Sequence, residues 1–151
     1  MSFANITHAL RMSALLICWA ATGQPANAEP GNCPQPRFTG KAPAEYLERI
    51  NPLTPVTADS KNAASLYGGK QRGVNCAICH GEKGNGKGPL AGLYEPPPRN
   101  FACSQTINGV PDGQLFWIIR FGSPGTAMPP HPGLDDAQVW QLVWHLRQLA
   151  R

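Results

Sequence analysis

The chain has 151 residues, of which 42 % are apolar and only 15 % charged, with 16 glycines and 16 prolines. That length suits one domain of about 100–150 residues. So many loop formers point to a few helices set among irregular chain, with room for a large flat cofactor to supply core volume. The net charge of +4 sits on scattered lysines and arginines without a run or stripe, which argues against a nucleic-acid footprint.

Residues 1–28 read as an export signal. Arg11 supplies a weak positive start, residues 12–21 are apolar, and Ala26-Asn27-Ala28 has the small-x-small cleavage pattern, so the mature chain is expected to begin at Glu29. The apolar run falls short of the roughly 20 residues that a bilayer requires, so no stable membrane insertion is expected once the signal is cleaved. Cys18 leaves with the leader. Cys33, Cys76, Cys79 and Cys103 then enter an oxidising compartment, where disulfides persist.

Residues 29–50 form an arm rich in Pro, Gly and Asn, with a short helix. Pro43 suits its first position, Glu45 its first turn, and Tyr46, Leu47 and Ile50 its apolar face, before Asn51-Pro52 ends it. A second helix is expected from Thr57, with Asp59 and Ser60 in its first turn. Its face runs through Ala63, Ala64, Leu66 and Tyr67, and its register extends over Gly68-Gly69 to Val74 and Ile78. A glycine-rich loop over 81–93 follows, then a proline stretch over 95–100 that must run extended. Asp112 is placed to cap a third helix carrying Leu115, Phe116 and Ile119, which Gly122 ends. The last helix is the clearest. Asp135 caps it, and Val139, Leu142, Val143, Leu146 and Leu149 recur at helical spacing.

Cys76-Ala77-Ile78-Cys79-His80 is the strongest chemical signal. C-x-x-C-H is the pattern of covalent haem attachment. Two thiols three residues apart lie on one helical face and suit the two vinyl groups on one porphyrin edge, and the adjacent imidazole is a good iron donor. A thioredoxin-like site would need a βαβ setting, and a zinc site a second close pair of ligands. The pattern offers neither, because Cys33 and Cys103 are single and far apart.

With these residues the chain resembles the class I bacterial c-type cytochromes. The likeness spans about residues 51–151. It rests on Ala63-Ala64-Ser65-Leu66-Tyr67, on Cys76-Ala77-Ile78-Cys79-His80-Gly81, and on Gly84-Asn85-Gly86-Lys87-Gly88-Pro89. It continues through Pro97-Pro98-Arg99-Asn100-Phe101, Gly125-Thr126-Ala127-Met128-Pro129 and Leu134-Asp135-Asp136. Asn85 stands where many relatives have Asp, and Ala64 where many have Gly. The resemblance implies an all-α fold of about four to five helices around one covalently attached haem c, with residues 51–151 as the cytochrome domain. It implies a periplasmic electron carrier rather than an enzyme, exchanging electrons with other redox proteins. It also implies that the helix before the motif crosses the last helix, bringing Ala64 and Tyr67 near Trp140 or Trp144, and that the Pro89 carbonyl accepts the second imidazole N–H of His80. Alternatives are a haem-bearing subunit of a larger oxidase or dehydrogenase complex, and a gas-binding or peroxidatic haem protein.

Three side chains downstream could supply the sixth iron ligand: Met128, His131 and His145. His145 belongs to the last helix and reads as a packing residue. Gly125 lets the chain turn and Pro129-Pro130 stiffens its exit, which favours Met128, with His131 as runner-up. Arg99 is a candidate partner for a haem propionate, with Gln114 and Trp117 weaker candidates at the same edge. Cys33 and Cys103 are the spare cysteines and are expected to bridge, pinning the arm beyond Phe101. Ala77, Ile78 and residues 125–130 are expected to form an uncharged rim for docking.

Overall fold

A computed structural model describes residues 30–36, 39–71 and 73–150. The expected leader lies outside these residues. Among the described residues the chain forms six helices and no strand: α1 (Ala44–Leu47), α2 (Ser60–Tyr67), α3 (Ala77–His80), α4 (Ser104–Ile107), α5 (Asp112–Phe121) and α6 (Asp136–Leu149). A short 3-10 turn covers Ala91–Leu93. No helix among them is long and apolar enough to cross a membrane.

α6 is built as its sequence suggests. Asp135 accepts from Gln138 N–H and the Gln138 side chain accepts from Asp135 N–H, which closes a capping box. Val139, Leu142, Val143 and Leu146 are buried on one face, which packs against α2 and α5. α2 begins after Asp59, whose carboxylate accepts from Asn62 N–H, and it buries Ala63, Leu66 and Tyr67. It does not run on to Val74 and Ile78. Gly69 and Gly73 take φ of 78° and 67°, a left-handed turn that few other residues tolerate. Cys76 N–H then returns to the Tyr67 carbonyl, so α3 starts as a separate helix beside the end of α2.

The other differences are also local. The arm helix spans only Ala44–Leu47, with Pro43 at its cap, and Ile50 is exposed. Pro111, not Asp112, occupies the cap of α5, and Asp112 instead accepts from Arg147 Nε at 2.8 Å. Arg147 also donates to the carbonyls of Ile107 and Val110, so one guanidinium ties α6 to the start of α5. Gly122, at φ 80°, ends α5 as expected. Gly113 lets α1 lie against α5: a Cβ there would stand 1.7 Å from the Tyr46 carbonyl oxygen. Ala64 is exposed, and the observed ring partner of Tyr67 is His145, with centroids 4.9 Å apart. Trp140 packs on Phe116 at 4.5 Å.

The arm is stitched to the body at both ends. A disulfide joins Cys33 to Cys103, with Cα atoms 5.6 Å apart. Further along, Gln114 is fully buried, with its amide oxygen taking Ala42 N–H at 2.8 Å and its nitrogen donating to the Gly40 carbonyl.

Candidate cofactor site

α3 and the loops after α2 and α5 surround an apolar cavity of about 390 Å³. That is within the range of about 300–1,000 Å³ usual for small-molecule sites. Cys76, which caps α3, and Cys79 and His80 within it line the cavity. Leu90 and Pro96–Pro98, Ile118 and Ile119 of α5, and Met128 and His131 of the following loop complete much of the wall. The sequence motif and the Met128 loop therefore meet in one space.

Neither Cys76 nor Cys79 is paired with another sulfur. Burial pushes the Cys76 thiol up to about 11, with its neighbour Cys79 adding in the same direction, so it is protonated at neutral pH. Burial also raises Cys79, against a hydrogen bond with Tyr94.

His80 is 8 % exposed, and burial lowers its pKa to about 4, against the hydrogen bond with Arg99 and helped by the charge of His131. It is a neutral imidazole at pH 7. Its Nδ1 lies 3.0 Å from the Arg99 carbonyl oxygen. A carbonyl can only accept, so Nδ1 carries the proton and Nε2 keeps its lone pair for a metal. The ring stacks on Phe101, with centroids 4.4 Å apart.

The acceptor is thus Arg99 and not Pro89. The glycine loop wraps round the end of α3, pairing Gly88 N–H with the Cys79 carbonyl and Leu90 N–H with that of Ile78. Pro89 lies between these contacts, on the exposed side. Gly88 is required there, because a Cβ would come within 2.6 Å of the Ile78 and Ala77 carbonyls.

Met128 belongs to a loop fixed at several points. Gly122 and Gly125 have φ near 80°, Ser123 N–H donates to the Met128 carbonyl at 3.1 Å, and Met128 N–H donates to Thr126 Oγ1 at 3.2 Å. Arg120 donates to the Leu134 carbonyl and to Asp136, holding the far end of the same loop. Met128 packs on the edge of the hydrophobic core. His131 also lines the cavity and is half-buried.

Arg99 lines the cavity, and its guanidinium donates to the carbonyls of Gln35, Pro36 and Thr106, tying the arm to α4. Gln114 likewise holds the arm. Trp117 packs near Phe121, with centroids 6.3 Å apart. Ala77 is buried and Ile78 is exposed, so of that pair only Ile78 offers surface for docking.

A covalent haem fits this setting. One thiol caps a short helix that carries the second thiol and an imidazole, Met128 lines the same cavity, and the walls are apolar. Ser123, another lining residue, has a buried hydroxyl with no hydrogen-bond partner among the described residues, which suits a site completed by a bound group. The family model for cytochrome c matches residues 60–150. The chain belongs to the cytochrome c family. Covalently bound haem and electron transfer are the properties of that family, and the all-helical fold agrees with it. Among solved structures, a chain titled Kuenenia stuttgartiensis reducing HAO-like protein complex superposes with a TM-score of 0.52 at 22 % identity, covering 68 % of this chain and 50 % of that one. The present chain thus spans about half the length of that neighbour, and the likeness is one of fold. No curated protein matches the sequence. The arm lies outside the region matched by the cytochrome c model, and nothing in the local sequence marked Gln35 of the arm, or Gln114 of α5, as residues that hold the arm to the body.

Proposed function

We propose that this cytochrome c is an exported electron carrier that would hold one haem through thioethers at Cys76 and Cys79, with His80 Nε2 and Met128 Sδ as the donors to its iron. The observation that carries the reading is that the thiol pair, the neutral His80 and Met128 all line one apolar cavity. Bound haem supplies a one-electron couple. The protein orients the imidazole through Nδ1, keeps water away with apolar walls, and delivers a soft sulfur donor from a loop fixed on both sides. A thioether favours the ferrous state and so raises the potential relative to a second histidine. The periplasm is the proposed location, on the strength of residues 1–28, and other redox proteins are the proposed partners.

His131 lines the same cavity and supports bis-histidine ligation as a second reading. Met128 is favoured because it packs on the core. Mass spectrometry of the denatured protein tests attachment: the mass should exceed that of the chain by one haem. Met128→Ala should abolish the weak sulfur-to-iron absorption of the oxidised protein, lower the potential and admit CO. An unchanged spectrum in that variant, with a ligand lost in His131→Ala, would assign the iron to His131 instead.

A further inference from the structure

The carbonyl that accepts from His80 belongs to the peptide unit between Arg99 and Asn100. The N–H of that same unit, on Asn100, donates to Gln35 Oε1 at 2.8 Å. The peptide is trans, so its C=O and N–H point in opposite directions. A continuous line of hydrogen bonds therefore runs from His80 Nδ1–H, through the peptide, to the Gln35 side chain. Gln35 is 6 % exposed, and its Nε2 donates to the Pro98 carbonyl at 3.1 Å, one peptide further back. Its own N–H donates to Thr106 Oγ1 at 3.0 Å, and its carbonyl accepts from Arg99 Nη1 at 3.3 Å. The disulfide at Cys33 anchors the arm two residues earlier.

We infer that Gln35 is a positioning residue for the iron site: through the Arg99–Asn100 peptide it orients His80 and strengthens its donation. This rests on His80 being the iron ligand. An N–H that is itself hydrogen-bonded polarises its peptide, so the carbonyl at the other end accepts more strongly. A stronger acceptor on Nδ1–H makes the imidazole more basic, which favours the ferric state. The arm, outside the region matched by the family model, thus bears on the potential without touching the cavity's iron donors.

The test uses the oxidised and reduced holoprotein. Gln35→Met removes the acceptor at similar length, and Gln35→Asn, whose amide is too short to bridge, is the milder change. Gln114→Met is the control, since it loosens the arm elsewhere. Both Gln35 variants should shift the ferrous-to-ferric ratio at fixed potential about three- to tenfold toward ferrous, about 30–60 mV for a one-electron couple. Exchange of the His80 Nδ1 proton with solvent, followed by NMR, should quicken about tenfold or more. Gln114→Met should lower thermal stability and move neither quantity. Equal potentials and exchange rates in parent and Gln35 variants, or the same shift in Gln114→Met, would overturn the inference. If the parent protein shows no iron-shifted His80 ring protons, the ligand assignment itself falls, and this inference with it.

Discussion

Replacing Cys33 and Cys103 together with serine should destabilise the protein by an amount set mostly by the unfolded chain. The disulfide closes a loop across a sequence separation of 70 residues. In the chain-entropy model a loop of that size contributes about 4 kcal/mol at room temperature. The native arm loses little besides, because Gln35, Arg99, Asn100 and Gln114 still hold it through hydrogen bonds. For a domain of this size 1 kcal/mol corresponds to roughly 3–5 °C, so Tm should fall by about 15 °C. Urea titration of the holoprotein adds a second readout. The freed chain expands further on unfolding, so the m-value should rise along with the fall in midpoint. Treating the parent with a thiol reductant should reproduce the loss, and treating the double variant should add nothing. A double variant that melts within about 3 °C of the parent, with the same m-value, would refute the reasoning.

Arg147→Met leaves the Asp112 carboxylate and the Ile107 and Val110 carbonyls without their shared donor, and should cost about 2 kcal/mol by urea titration with little change in m-value. Gly113→Ala forces a methyl group onto the backbone of α1; a loss of about 1–3 kcal/mol and faster amide exchange at Tyr46 and Leu47 are expected. Burial against Tyr67 holds His145 below its usual value near 6.5, so the unfolded chain takes up the proton first as pH falls. The stability due to neutral His145 is therefore complete above about pH 6.5 and declines below it. His145→Gln should flatten that part of the stability–pH curve measured by thermal melts.

Signals carried by neighbouring residues were legible in the sequence. Asp135 with the spacing of Val139 to Leu149 specifies α6, and Cys76, Cys79 and His80, picked out by their spacing, line one cavity. The break between α2 and α3 was not legible, because a glycine inside a helical pattern lowers helix stability without stating that the chain turns back. The acceptor on His80 was out of reach for another reason. Every residue has a carbonyl, so which one meets the imidazole depends on how the loops wrap, and the expected Pro89 gave way to Arg99. The part Gln35 and Gln114 play in holding the arm was not legible: each satisfies backbone groups more than sixty positions away. Sequence periodicity has no term for such contacts. Asp112 shows the opposite case, a residue rightly picked out near a helix start whose carboxylate serves a guanidinium on another helix.

The run Pro96–Pro98 forms part of the cavity wall, and it has a bearing on how fast an electron can leave. When charge arrives at or departs from a buried centre, surrounding dipoles must swing to the new field, and each one that moves adds to the barrier. Proline has no amide N–H and its φ is fixed, so this stretch presents few dipoles able to turn. The carbonyl of Pro98 is itself engaged by Gln35. Peptides on that side of the cavity therefore have little freedom to turn when the charge changes. The electron can come and go while the surrounding atoms stay nearly where they were, which suits brief encounters with a partner.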